Sequence, residues 1–273
     1  MDGTLSDTLR ALIGRQPAPL IAAPMTGVSG PDLVTACCRA GIMGTFPATN
    51  APADELTGWL RAIDGALTGV DAAYAVNLPL RLAGDRLAHD LDAVCASDAA
   101  AIIVSVGGPA PIVGPAHDAG KAVIAVVATL HHARRAIGAG CDGLVLLSAG
   151  AGGFTGWMNP FAFVRAVRAE ADLPLVLAGG ITDRIALDAA LALGCDAAYL
   201  GTPLIATTES LASAEYQAAV VAAGIDDVEL RLMPNGLRSN GTGEGDGFFT
   251  MGHSAHRVGA PTDVATLVRG FVD

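Results

Sequence analysis

Proton transfer, nucleophilic attack and metal binding each need particular side chains at particular spacings, and this chain offers few such sets. His131 and His132 are adjacent and open a helix-like segment, and His253 lies near the C-terminal end. His89 and His117 read as helix-surface residues. No HExxH pair and no Cys/His cluster occurs, so no metal is implied. Ser148 has neither a GxSxG elbow nor evident His and Asp partners, which argues against a hydrolase. The cysteines at 37, 38, 95, 141 and 195 form no CxxC pair and read as small buried hydrophobes in a reducing cytosol. Glycine is the residue whose placement points to chemistry. Ala178-Gly-Gly-Ile181 precedes a helix opened by Asp183, and Gly201-Thr202 follows the next apolar run. Bare backbone at such loops leaves N–H groups free to cradle a phosphate, helped by a helix N-terminus. A third loop, Ser148-Ala-Gly-Ala-Gly-Gly-Phe-Thr-Gly156, either admits something flat or bulky against its backbone or serves as a flexible lid.

Those loops must be held by regular elements. Eight short apolar runs recur: Leu20–Ala23, Ile42–Thr45, Ala73–Val76, Ala101–Val104, Ala122–Val127, Gly143–Leu147, Leu175–Ala178 and Ala197–Leu200. They are continuously apolar rather than alternating, as strands buried on both faces should be. Helix-like segments lie between them: Pro31–Ala40, Ala53–Leu67, Asp85–Ala96, Ala110–Ala119, Leu130–Ala139, Pro160–Glu170 and Asp183–Leu193, with Glu209–Ala223 after the last run. Eight strand–helix units predict a (β/α)8 TIM barrel, with an open doubly wound sheet as the runner-up. Ala23-Pro-Met-Thr-Gly27 after the first strand is not the GxGxxG turn that would favour the open sheet. In a barrel, function gathers at the C-terminal ends of the strands. Those ends carry Pro24-Met25, Asn77, Ser105–Gly108, the Ser148 loop, Gly179-Gly180 and Gly201-Thr202. The expected layout is a barrel over 1–223, with residues 1–16 as a helix closing its bottom. A mobile glycine-rich loop over the active-site face is expected at 224–252, and a C-terminal portion at 253–273 with its helix over Val258–Val272.

Composition narrows the partners. The chain has 273 residues, is 52% hydrophobic and only 16% charged, which is the reverse of a disordered composition. Its 27 acids against 16 bases leave a net charge of −11, so a nucleic-acid partner is not expected. The longest uncharged run, Gly143–Val164, is long enough to span a bilayer. However, it holds five glycines together with Asn159 and Pro160, so it reads as a strand and loop. The N-terminus lacks the basic and apolar regions of a signal peptide. A cytoplasmic protein with a small-molecule substrate is expected, and a homo-oligomer is left open.

Several motifs together carry a family resemblance. They are Leu20-Ile-Ala-Ala-Pro-Met-Thr-Gly-Val-Ser-Gly30, Gly41-Ile-Met-Gly-Thr45, Val76-Asn-Leu78, Gly150-Ala-Gly-Gly153, Ala178-Gly-Gly-Ile181, Ala190-Leu-Ala-Leu-Gly-Cys-Asp196, Leu200-Gly-Thr202 and Ala206-Thr-Thr-Glu-Ser210. In this order and spacing over roughly 17–210, the chain resembles the nitronate monooxygenases (2-nitropropane dioxygenase-like) and the related FMN-dependent enoyl-acyl-carrier-protein reductases. A weaker match returns near Gly252-His253. The resemblance implies an FMN-binding TIM barrel. It implies that the backbone at Ala23, Pro24 and Met25 lies against the flavin ring and that Asn77 hydrogen-bonds it. It also implies that Gly152 and Gly153 line the other side of the ring, that Ser148 belongs to the cofactor-binding set, and that Gly179, Gly180, Gly201 and Thr202 hold the phosphate.

The chain departs from the family at one telling position. The family's loop reads AGGHxG, with the histidine as catalytic base, whereas Phe154 stands there in Ala151-Gly-Gly-Phe-Thr-Gly156. Phenylalanine moves no proton. Three readings follow: a substrate that arrives ionised, another base among Thr155, His131, His132 and His253, or a different flavin chemistry in a pocket shaped by Phe154. The resemblance therefore implies an O2-using nitronate monooxygenase-like enzyme. The alternatives are an NAD(P)H-dependent FMN reductase of an enoyl or other unsaturated substrate, and a non-catalytic flavin- or phosphate-ligand-binding protein. Arg81, just past the third strand, either faces an anionic substrate or is an ordinary surface arginine. The segment 215–250 is shorter than the family's, which bears on substrate choice.

Overall fold

A computed structural model describes residues 4–234 and 236–272. Eight parallel strands form one sheet: β1 (Leu20–Ala22), β2 (Gly44–Pro47), β3 (Tyr74–Pro79), β4 (Ala101–Ser105), β5 (Ala122–Val127), β6 (Gly143–Leu147), β8 (Leu175–Ala178) and β9 (Ala197–Leu200), with β7 (Gly153–Phe154) lying outside it. The hydrogen-bonded order is β1-β9-β8-β6-β5-β4-β3-β2. A parallel bridge between Ile21 and Met43 brings the two edges together. The protein is a (β/α)8 TIM barrel.

The continuous apolar runs have a direct cause. Successive side chains point to opposite faces, and both faces are buried. Ile21, Ala75, Ile103, Ile124, Val145 and Val176 belong to the inner cluster, while their neighbours Leu20, Val76, Ile102, Val123, Leu144 and Leu177 join the outer cluster under the helices. Inner positions at the strand starts are small (Ala101, Ala122, Ala197), and they admit Leu9 and Ile13 from the N-terminal helix Leu5–Gly14. A Cβ on Gly143 would come within 2.9 Å of Leu9 Cδ2, so that strand start must be bare. Thr4 and Asp7 form a capping box that starts this plug helix before it enters the barrel.

Two outer features differ from expectation. The segment 224–252 is not a plain loop. It holds β10 (Glu229–Leu232), β11 (Arg238–Thr242) and β12 (Phe249–Thr250), with β11 antiparallel to β10, β12 and β7. Its glycines serve close packing: a Cβ on Gly241 would lie 2.4 Å from Phe249 O, and one on Gly243 would lie 2.1 Å from Gly247 O. The C-terminal helix begins at Val264, not Val258. Pro261 precedes it, the backbone at Thr262 is bridged to Thr207, and Asp263 Oδ1 accepts from Thr266 N at 2.8 Å as the helix cap. Among the described residues no helix is long and apolar enough to cross a membrane. The uncharged run Gly143–Val164 is β6, a loop, β7 and the start of helix Pro160–Arg168.

Candidate active site

The C-terminal strand ends open into a cavity of about 1030 Å3. That lies at the upper end of the roughly 300–1,000 Å3 typical of small-molecule sites. Ala23, Pro24, Met25, Asn77, Gly152, Gly153, Phe154, Thr155, Gly179, Gly180, Gly201 and Thr202 all line it. The barrel thus brings together residues separated by up to 179 positions in the chain, between Ala23 and Thr202.

The loop after β1 is held from two sides. Ala23 N donates to Leu200 O at 2.7 Å, and Met25 N donates to Ser29 Oγ at 3.0 Å. Asn50 Nδ2 donates to Met25 O at 2.9 Å and to Ser29 O at 2.8 Å. Ser29 and Asn50 are positioning residues that sequence reasoning missed. Their only signal is polar character beside an apolar motif. On β3, Asn77 is buried, and its Nδ2 donates to Ile103 O and Ser105 Oγ, both at 3.0 Å. The amide oxygen lies 3.4 Å from Ser105 Oγ and keeps a second lone pair to offer a ligand.

The ends of β8 and β9 form the barest stretch of wall. Gly179 and Gly180 have φ of +120° and +74°, which only glycine adopts without strain. Among the described residues no protein acceptor takes the N–H of Gly179, Gly180, Gly201 or Thr202. Thr202 Oγ1 already accepts from Gly252 N at 2.9 Å, so its own proton is free to be donated. One N–H of the helix N-terminus expected to assist is already taken. Asp183 caps helix Arg184–Ala192 by accepting from Ala186 N at 3.0 Å.

The glycine-rich loop differs in detail from expectation. Ser148 is fully buried, absent from the cavity wall, and donates to Ala178 O at 2.7 Å, tying β6 to β8. Thr155 Oγ1 lies 3.1 Å from Ser148 O and from Gly156 O, so its proton is held by backbone. A Cβ on Gly152 would meet Gly252 N at 2.6 Å, so this glycine is demanded by the C-terminal segment packed against it. His253 is outside the wall: its N donates to Gly150 O at 3.1 Å, and its Nδ1 would lie 3.1 Å from a Cβ on Gly150. Phe154 is part of the wall, held on β7 by pairing with Ser239. His131 is also outside the wall, whereas His132 stands at the exposed rim.

Two tyrosines complete the lining. Burial pushes the Tyr199 hydroxyl well above the usual phenol range and raises that of Tyr216, against a hydrogen bond to Thr250 that lowers it. Tyr216 donates to Thr250 O, while Tyr199 OH, inside the barrel, is buried without a partner among the described residues. Among the described residues no carboxylate lines the cavity.

The comparisons agree with this architecture. The model of the nitronate monooxygenase family matches residues 7–241. The nitronate monooxygenase of Paraburkholderia phytofirmans is 31% identical over 247 residues, covering 74% of this chain and 67% of that protein. The (3aS,4S,5R,7aS)-5-hydroxy-7a-methyl-1-oxo-octahydro-1H-indene-4-carboxyl-CoA dehydrogenase of Rhodococcus jostii is 26% identical over 234 residues, covering 86% of this chain. The chain spans 65% of the length of that dehydrogenase. The structure of FabK from Thermotoga maritima superposes with a TM-score of 0.88 over 97% of this chain and 94% of that one, at 21% identity, a likeness of fold. The chain is therefore a (β/α)8 barrel of a known family: it belongs to the nitronate monooxygenase family.

Proposed function

We propose that this protein is an FMN-dependent oxidoreductase acting on a substrate that arrives already ionised, a nitronate being the reading nearest its family. The observation that carries this is the cavity wall. Among the described residues it offers four unpaired N–H groups at one end and no poised proton acceptor in its interior. The N–H groups of Gly179, Gly180, Gly201 and Thr202, with the Thr202 hydroxyl, fit a phosphate. The backbone at Ala23–Met25, the Asn77 amide and Gly153 would hold the flavin ring. When bound, FMN supplies the redox chemistry, between substrate and dioxygen.

The chain's own residues then bind, orient and exclude water. A neutral nitroalkane needs a base within hydrogen-bond reach of its α-proton. Phe154 provides none, the protons of Thr155 and Ser148 are held by backbone carbonyls, and His253 lies behind Gly150. A nitronate has lost that proton beforehand, and Phe154 offers its carbon chain an apolar wall.

The test is direct. Purified protein should take up FMN, seen at the flavin absorbance bands, and should consume dioxygen with a nitronate. Gly201→Asp should weaken FMN binding at least 100-fold. Its side chain has room to start, since the Cβ meets only Ala23 Cβ at 3.4 Å and Met25 Sδ at 3.6 Å, but its charge would oppose the phosphate. Protein that takes up no FMN overturns the reading. Cavity size favours a second reading, reduction of an unsaturated substrate by NAD(P)H through FMN. Anaerobic bleaching by NADH or NADPH would select it. Tight FMN binding with neither activity would indicate a flavin-binding protein without catalysis.

A further inference from the structure

The cavity's charge runs against the chain's. The protein carries 27 acidic and 16 basic residues, yet among the described residues three arginines and one histidine line the cavity and no Asp or Glu does. Two of the arginines converge on one loop. Arg81 follows β3, and its Nε donates to Val106 O at 3.3 Å, with its own N donating to the same oxygen at 3.1 Å. Arg135, from helix Leu130–Gly138, places Nη2 3.7 Å from where a Cβ on Gly108 would be. Both side chains are exposed, and among the described residues neither meets a carboxylate. Between them, the N–H groups of Val106, Gly107 and Gly108 donate to no acceptor among the described residues. Val106 has φ +51°, a costly conformation for a β-branched residue.

The geometry points to a second oxyanion site, formed by Arg81, Arg135 and the Val106–Gly108 loop, for the phosphate of a second ligand. Bare consecutive N–H groups suit a tetrahedral oxyanion, and guanidinium forks suit its oxygens. The site lies beside β3–β5, whereas the bare N–H groups proposed for FMN lie at β8 and β9 on another part of the wall. The exposed rim suits a tail that trails out of the cavity while the reacting end enters. A phosphate-bearing tail can come from a nicotinamide dinucleotide or from a coenzyme A thioester, and both share this chemistry. The site rests on the functional reading above only in its relation to FMN.

Inorganic pyrophosphate, titrated calorimetrically into FMN-loaded protein, tests it. Wild type should bind. Arg81→Ala and Arg135→Ala should each weaken binding several-fold, and the double variant at least 20-fold. Arg61→Ala, which removes another exposed arginine that meets no carboxylate among the described residues, should change nothing. If FMN does not load, the functional reading fails separately. The titration is then done on Gly201→Asp protein, whose own phosphate cradle is blocked. Pyrophosphate binding that is absent, or indifferent to the double variant in a protein with unchanged thermal unfolding, overturns the site. Displacement of pyrophosphate by NADPH or by coenzyme A distinguishes the two sources.

Discussion

Phe154→His places a base in the cavity wall, a test of the proposed absence of one there, and its effect can be bounded. Phe154 is half-buried on β7, and its backbone is held by the pairing with Ser239 on β11, so the substitution keeps the strand and changes the wall. The lost apolar contact costs about 1 kcal/mol, from roughly half the value of a fully buried phenylalanine. A general base in reach contributes about 10²–10⁴-fold, or about 3–5 kcal/mol of barrier at roughly 1.4 kcal/mol per decade. Dioxygen consumption by FMN-loaded protein is measured with one primary nitroalkane, supplied either neutral or as its pre-formed nitronate. Wild type should use the nitronate, while its rate with the neutral form should track spontaneous ionisation. Phe154→His should gain at least 100-fold on the neutral form and change less than about threefold on the nitronate. The gain should rise with pH through about 6.5, as the imidazole loses its proton. Phe154→Gln, which opens the wall without supplying a base, should gain nothing on the neutral form. Wild type that oxidises the neutral form as fast as the nitronate would refute the reasoning. So would a loaded histidine variant with no gain, because position 154 would then not face the reacting carbon.

Three further outcomes concern the scaffold. Leu9→Ala empties the barrel plug, where Leu9 is 1% exposed, and should destabilise the protein by about 2–5 kcal/mol in urea unfolding; a loss below about 1 kcal/mol would mean the barrel bottom collapses around the gap. Tyr199→Phe removes a buried hydroxyl without a partner and should leave unfolding unchanged or raise stability by about 1 kcal/mol, whereas a clear loss would reveal a hidden acceptor. Burial raises the thiols of Cys141 and Cys195 to about 12. The unfolded state therefore releases their protons first as pH climbs past about 9, it binds fewer protons than the native state, and stability falls between about pH 9 and 12. Each thiol should account for about 1 kcal/mol by pH 10, so the Cys141→Ala, Cys195→Ala double variant should flatten the alkaline limb of the denaturation midpoint, and an unchanged limb would contradict the assignment.

Legibility divides along the range of the interactions. The barrel strands were readable because burial on both faces writes itself into consecutive residues: Leu20-Ile-Ala22 needs no distant partner to look like an inner strand. The glycines at 179, 180 and 201 were readable because strand ends can be counted along the chain and bare backbone at two consecutive ends is a local signal. Phe154 was equally legible, since it is one residue type at one motif position. Boundaries set by caps and bridges were less so. The last helix begins at Val264 because Asp263 caps it and Thr262 pairs with Thr207, a residue 55 positions away.

By itself, then, the sequence determined the eight-fold strand–helix rhythm, the bare backbone at β8 and β9, and the presence of a phenylalanine at position 154. Only the tertiary structure decided what those pieces face. Arg238–Thr242 is polar and glycine-bearing, and it reads as loop until β7, β10 and β12 pair with it and Asn240 Nδ2 finds Ala151 O at 2.8 Å. Ser148 and His253 looked available in a linear motif, yet one ties two strands and the other backs Gly150. Arg81 and Arg135, 54 residues apart in the chain, become neighbours of one three-residue loop because β3, β4 and β5 are adjacent in the barrel. Periodicity and turn chemistry are local and survive in one dimension. Convergence of charge, and the closure of one hydrogen-bonding group by another, depend on which strand ends the barrel sets side by side.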